Sequence, residues 1–218
     1  MRKHWIPAVL TTAVMVPLLT AGPALAADGN VLTTGSAGGT AVATGSTISS
    51  TLATGTNATF YNATTGTAGM SCTGSSLGAT VGDNPAAPGS ASAAATLGLS
   101  GCTVSGIVGV LGVNSVAINN QPYATTIDSD GTVAVSGTTA APIQATLVLR
   151  TLLGTITCVF QANNNAISGT SSNADNSIAF SNQQFNRTSG SSLCSANVFF
   201  TAKYAPVTDA SGAAVFVN

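Results

Sequence analysis

Apolar and polar residues alternate with a period of two over much of this chain, the pattern of strands that bury one face. The pattern is clearest in Ile143–Gln161, IQATLVLRTLLGTITCVFQ. Ile143, Ala145, Leu147 and Leu149 alternate with Gln144, Thr146, Val148 and Arg150. Ile156, Cys158 and Phe160 then alternate with Thr155, Thr157, Val159 and Gln161. Gly154 lies between the two runs and can take the positive φ that a turn often requires. The spacing predicts a β-hairpin with Cys158 on its inward face, able to tie the hairpin to a later segment. Leu147, Arg150, Thr151 and Gly154 also fit helical spacing, so a short helix through LVLRTLLG is the competing reading. The flanking Thr, Ile and Val favour strand.

Other stretches repeat the pattern more weakly. Short strands are predicted at Ala41–Ala43 and Thr47–Ser49, then at Thr59–Tyr61, Met70–Thr73 and Leu77–Val81. A Pro- and Gly-rich loop follows over Gly82–Ala91. Leu97–Ile118 carries no charge, but its Gly, Ser, Thr, Cys and Asn make it too polar for a membrane span. It reads as two β segments joined through Gly106, Gly109 and Gly112. Val113–Asn119 and Tyr123–Asp128 read as a pair turned through Asn119–Pro122. Ser129-Asp130-Gly131 turns the chain into Thr132–Ser136, an Asp-Gly hairpin signal. Beyond the Ile143–Gln161 hairpin come a loop at Asn163–Ala166, strands near Ser168 and over Ser177–Phe180, a small-residue loop at Thr188–Ser192, a strong strand over Asn197–Tyr204, a turn at Asp209–Gly212 and a strand over Ala214–Val217.

The first 26 residues depart from this pattern. Arg2, Lys3 and His4 precede an apolar run that ends in Ala24-Leu25-Ala26, the layout of a cleaved secretory signal peptide. The run is short and broken by Pro7, Pro17 and Gly22, which argues against an uncleaved membrane anchor. Residues 27–39 read as a flexible Gly/Thr/Ser lead-in, and 40–218 as the folded domain, with 40–137 and 143–218 as candidate lobes. The fold expected is all-β: an Ig-like or Greek-key β-sandwich of one or two packed lobes, stabilised by disulfides.

Charge narrows the chemistry. Beyond residue 26 the charged residues are Asp28, Asp83, Asp128, Asp130, Asp175, Asp209, Arg150, Arg187 and Lys203. There is no Glu, and the one His and one Trp, His4 and Trp5, lie in the N-terminal segment. No basic patch is visible for nucleic acid or an anionic membrane. Without His, a Ser-His-Asp triad, a Cys-His pair or a His-ligated zinc site cannot be built. Solubility rests on Ser, Thr, Asn and Gly, as on the outer faces of secreted β-sandwiches.

Four cysteines, Cys72, Cys102, Cys158 and Cys194, in a chain read as exported imply two disulfides. Three connectivities exist. The sequential one, Cys72–Cys102 with Cys158–Cys194, closes the shorter loops and keeps each bond within one half. Tetrathiolate metal binding is the rival, disfavoured by the wide spacings and by export.

Candidate sites are few. Asp128-Ser129-Asp130-Gly131 opens like a calcium loop, but Thr139 stands at the twelfth position where a bidentate Glu is needed. An Asx-type turn is the plainer reading, with a weak irregular Ca²⁺ site as its rival. Lys203 is the one lysine beyond the N-terminal segment and alternates with Ala202 and Tyr204, which predicts that it faces outward; a Ser–Lys dyad or an isopeptide crosslink to Asn is a minor reading. The aromatics Phe60, Phe160, Phe180, Phe185, Phe199, Phe200, Phe216, Tyr61, Tyr123 and Tyr204 belong mostly to the core. Phe199 and Phe200 are adjacent, so on a regular strand they face opposite ways and one is exposed or covers an edge; without Trp beyond the N-terminal segment, a sugar-stacking platform has little support. No catalytic, cofactor-binding or metal-binding residue is assigned.

The segments IQATLVLRTLLGTITCVFQ, GTSSNADNSIAFSNQQF, SSLC and KYAPVTDASGAAVFVN, with ATFYNATTGTAGMSC and VNSVAINNQPYAT, resemble a group of small exported actinobacterial, streptomycete-type proteins. The resemblance covers nearly the whole chain after residue 26. It implies a secreted all-β protein with paired cysteines and supplies no site residues. The expected function is that of a non-enzymatic extracellular protein, structural or binding, without cofactor, whose ligand is cell wall, small molecule or sugar. A small-molecule or carbohydrate carrier is the alternative, and a hydrolase using Asp alone ranks last.

Overall fold

The computed structural model describes residues 29–218. The signal-peptide reading of residues 1–26 and the charge of Asp28 lie outside the described residues. The chain is all-β. Its strands are β1 (Leu32–Thr34), β2 (Thr40–Ala41), β3 (Thr47–Thr51), β4 (Ala58–Tyr61), β5 (Gly69–Val81) and β6 (Ser90–Ser105). They continue with β7 (Val110–Asn119), β8 (Tyr123–Asp128), β9 (Thr132–Ser136), β10 (Gln144–Thr151) and β11 (Gly154–Ala162). After one 3-10 turn at Asn163–Asn165 come β12 (Ala166–Ser172), β13 (Ser177–Gly190), β14 (Asn197–Tyr204), β15 (Thr208–Asp209) and β16 (Val215–Val217).

The hairpin at the centre of the sequence pattern is present. Strands β10 and β11 pair antiparallel from Gln144↔Gln161 to Thr151↔Gly154, leaving Leu152-Leu153 as a two-residue loop. Ala145, Leu147, Leu149, Cys158 and Phe160 are buried on one face, as the alternation requires. Gly154 takes φ +119°, in the region that favours glycine.

The sandwich expectation is corrected. The ladders run β12-β9-β8-β6-β5-β4-β14-β13, and β12 also pairs with β13, so eight strands close into a ring. A sandwich leaves edges; here β12 fills the last gap, its Ile167 matched to Val135 and its Gly169 to Phe180. Three further strands extend the wall from β13 in the order β11-β10-β7. Strands β4 and β14, β9 and β12 pair across the two sequence halves, so the strands of 40–137 and 143–218 interleave in one sheet.

The long strands β5, β6 and β13 run through two stacked halves. In the closed half they are flanked by β3, β8, β9 and β12, and in the other by β4, β7, β10 and β11; the ring thus runs through both halves, β4 carrying it from β5 to β14. A buried aromatic cluster of Phe60, Phe180, Phe185, Phe200 and Tyr204 sits where the halves meet, with Phe60 and Phe200 ring centroids 4.9 Å apart. Tyr204 Oη donates to Ser75 Oγ (2.9 Å), which donates to Gly98 O (2.8 Å), so the buried hydroxyls are satisfied.

Three local expectations change. Strands β7 and β8 do not pair with each other. β7 pairs with β10, where Val113, Val116 and Ile118 meet Leu149, Leu147 and Ala145, while β8 crosses to β6 and β9. Matching apolar faces thus outweighs sequence adjacency. Thr188–Gly190 belongs to β13, held by β11, and is not a loop. Residues 29–39 are not a loose lead-in: Val31 and Leu32 are buried, and β1 lies between β16 and β2, capping the closed half. Amide side chains fasten this cap. Asn84 Nδ2 donates to Leu32 O and Val42 O, and Asn218 Nδ2 donates to Asn30 O and Thr33 Oγ1.

Candidate functional site

The cysteines pair sequentially, Cys72 with Cys102 and Cys158 with Cys194. Cys72 and Cys102 are direct cross-strand partners on β5 and β6. Cys158 on β11 reaches the loop after β13, where Arg187 Nη1 donates to Ser191 O (2.8 Å) and Cys194 O (2.5 Å). Both bonds lie in the half built on β4, β7, β10 and β11. Paired thiols of this kind fit an oxidising, extracellular compartment.

The remaining sequence candidates scatter. Asp130 Oδ1 accepts from Thr132 N (2.8 Å) in the β8–β9 turn, an Asx turn whose hydrogen bonds hold the carboxyl below its ordinary range. Lys203 forms an exposed ion pair with Asp175. The Lys203 hydrogen bond and that of Ser177 hold the Asp175 carboxyl well below the usual carboxylate range. Lys203 meets only Asp175, which also accepts from Ser177 Oγ (2.7 Å), and no cluster of three His, Cys, Asp or Glu exists among the described residues.

The interior is filled. Two small, apolar-lined voids of about 40 Å³ each lie in the barrel, one beside Phe180 and Phe200 and one beside Ile48 and Ile127. Such volumes hold a water or two, not an organic ligand.

The outer wall offers more. The adjacent pairs Phe60-Tyr61 on β4 and Phe199-Phe200 on β14 each send one ring inward and one outward. Phe200 lies opposite Phe60 in the core, and Phe199 lies opposite Tyr61 on the outer face. Tyr61 and Phe199 line an open depression of about 310 Å³. A bulge in β13 shapes its far side. The register slips between Phe180 and Gln183, and Asn182 takes φ +49°. Ser181 and Asn182 together oppose the single residue Thr201, one residue more than the ladder needs, and both are thereby turned out beside Phe199. Thr201 Oγ1 accepts from Asn182 N (2.9 Å) and fixes the bulge. The β4–β5 loop, through Thr64 and Thr65, forms the near wall. No charged side chain lines the depression. A second, shallower trough of about 530 Å³ over Thr73–Ser76 and Gly98–Ser100 has hydroxyls but no aromatic ring.

Of these residues the sequence pattern pointed to Phe199 alone, and only as one of the Phe199-Phe200 pair, without deciding which ring faces out. Tyr61 carries the same signal, since it follows the buried Phe60. Ser181 and Asn182 gave none, because a bulge depends on the register of two strands. Compared with protein-family models, with curated proteins and with solved structures, the chain matches none.

Proposed function

We propose that this chain is exported and acts outside the cell as a non-catalytic binding protein, its ligand an uncharged carbohydrate seated on Tyr61 and Phe199. The observation that carries the reading is the aromatic pair on an otherwise hydroxyl- and amide-rich wall. Sugar rings present apolar C–H faces that pack on aromatic rings, and their hydroxyls exchange hydrogen bonds with amides and hydroxyls. Ser181, Asn182, Thr59, Thr64 and Thr201 supply such groups around the two rings. A depression without carboxylates suits neutral glycans, and glycoside cleavage needs a pair of carboxylates across the bond. The small interior voids make an enclosed small-molecule carrier the weaker form of the reading.

Export rests on the layout of residues 1–26 and on the two disulfides. The resemblance to streptomycete-type secreted proteins adds to it, and a cell-envelope polysaccharide is the fitting ligand. Retention on insoluble neutral polysaccharides, measured for the wild type, Tyr61→Ala and Phe199→Ala, tests the proposal. Each substitution is expected to weaken retention about tenfold, from one lost stacking contact. Equal retention by all three proteins, or none by the wild type, would sink it.

A further inference from the structure

We propose that the end of the barrel carrying both disulfides docks on an anionic lipid surface through three apolar loops. Among the described residues, the exposed large hydrophobics are Val108, Leu111, Leu152, Leu153 and Leu193. All five lie at this end. Val108 and Leu111 flank the start of β7, whose Val110 pairs with Thr151, and Leu152-Leu153 is the next turn of chain beyond Thr151. Leu193 precedes Cys194, which is bonded to Cys158 on the same hairpin. Val108 is 90 % exposed, Leu152 80 % and Leu153 101 %, so these side chains contribute nothing to the core.

The loop chemistry is unusual for the position. A two-residue hairpin loop ordinarily takes Asn, Asp or Gly, which suit its backbone. Here both places are Leu, although Thr151 Oγ1 and Gly154 do the work of holding the turn. A departure from local turn chemistry with no return in packing points to a use outside the fold.

Charge is sorted along the same axis. The arginines Arg150 and Arg187 belong to this half, and no carboxylate of the described residues does. Arg150 is exposed and lies over Gly112, beside Leu111. Asp83, Asp128, Asp130, Asp175 and Asp209, with Lys203, all belong to the closed half. The spacing between the two ends is set by β6, whose 16 residues span roughly 50 Å at about 3.3 Å each. The Debye length at physiological salt is about 8 Å, so the aspartates do not oppose an anionic surface met by the other end.

The shape selects lipid over a second copy of the chain. A stable protein interface needs about 800 Å² from each partner with matched shape. The exposed large apolar side chains among the described residues are five, spread over three separate turns, whereas a bilayer interface conforms around protruding aliphatic side chains and offers phosphates to Arg150. The sparse basic residues argue against such a surface when counted along the chain; the fold brings two of them to the apolar end.

Co-sedimentation with vesicles of phosphatidylglycerol and phosphatidylcholine in equal parts tests this, using protein recovered from an exporting host, its N-terminus recorded by intact mass. The wild type is expected to bind these vesicles and to bind pure phosphatidylcholine at least several-fold less. The double variant Leu152→Ser, Leu153→Ser is expected to lose at least tenfold in partitioning. Its far-UV circular dichroism should be unchanged, since both side chains are solvent-exposed. Arg150→Gln is expected to weaken binding several-fold and to flatten its salt dependence. Tyr61→Ala should leave vesicle binding unchanged, which separates this surface from the carbohydrate depression. No binding by the wild type, binding indifferent to the Leu substitutions, or a lipid-free dimer abolished by those substitutions would each overturn the proposal.

Discussion

The two halves of the barrel solve the same problem differently. The closed half is ringed by hydrogen-bond ladders and has no disulfide among the described residues. In the other half no ladder joins β6 to β7, although the two strands border the same core. That half holds both disulfides. One of them crosses the β5–β6 ladder beside the seam, and the other pins the loop after β13 to β11. The seam itself is bridged by a side chain. Gln121 Oε1 accepts from Leu97 N, and Gln121 Nε2 donates to Leu97 O (3.1 Å) and Ile118 O (3.1 Å), so one amide stands in for a missing backbone rung. Where backbone pairing is incomplete, an amide side chain spans the gap, and the covalent links brace other strands of the same half. The exposed aliphatic loops lie on this half as well, away from the capped, fully paired one.

The largest test of this contrast is removal of the disulfides. Replacing both cysteines of either bond by Ala is expected to lower stability by about 3–4 kcal/mol in chemical denaturation. Hydrogen exchange should then quicken in β7, β10 and β11 while β8, β9 and β12 stay protected. Uniform quickening across both halves would break the contrast. A smaller effect is expected at the seam. Gln121→Ala strands Leu97 N–H and C=O, costing about 1–3 kcal/mol. Gln121→Glu should be no better, because a carboxylate can accept from Leu97 N but cannot donate to Leu97 O. Rescue by Glu would show that the donor half of the bridge is idle.

At the junction of the halves, Tyr204→Phe should cost about 1 kcal/mol through the lost bond to Ser75. Burial pushes the Tyr204 hydroxyl up to about 12 from its ordinary 10. Protonated Tyr204 is thus favoured by folding, so its contribution is complete below pH 10 and is lost as pH rises through 12. Alkaline unfolding should accordingly soften in Tyr204→Phe, and identical profiles would argue against a buried hydroxyl. The smallest effect belongs to the exposed Lys203–Asp175 pair in the closed half. The lowered Asp175 carboxyl contributes at neutral pH, and this contribution fades as pH falls below the ordinary carboxylate range. Lys203→Met should barely move the thermal midpoint at pH 7 and should reduce its drop in acid. A large loss at pH 7 would mean that the pair closes the ring rather than decorating it.

Much of the local architecture was readable along the chain. The β10–β11 hairpin, the β8–β9 turn at Asp130-Gly131 and the span of β14 all follow from two-residue alternation and turn chemistry. The sequential disulfides followed from loop length and from reading the chain as exported. Of the candidate carbohydrate site only the opposition of Phe199 and Phe200 was legible, and the lack of Trp argued against a stacking platform. The pairing of β7 with β10 was not, since nothing near Asn119–Pro122 says that Val116 will meet Leu147 rather than turn back onto β8. Nor was the Asn182 bulge, which exists only once β13 is laid against β14.

By itself, then, the order of residues determined an all-β chain with a polar, charge-poor exterior and two sulfur bridges. Those properties are local or compositional: side-chain period, turn residues, and the count of ionisable groups. Only the tertiary structure decided that β12 closes a ring, that β6 and β7 meet at a seam bridged by Gln121, and that Tyr61 joins Phe199 on one wall. It also decided that Arg150 and Arg187 share an end with five exposed aliphatic side chains. Each of these depends on which distant strands lie side by side, and that is set by the fit of whole apolar faces rather than by any stretch of chain alone.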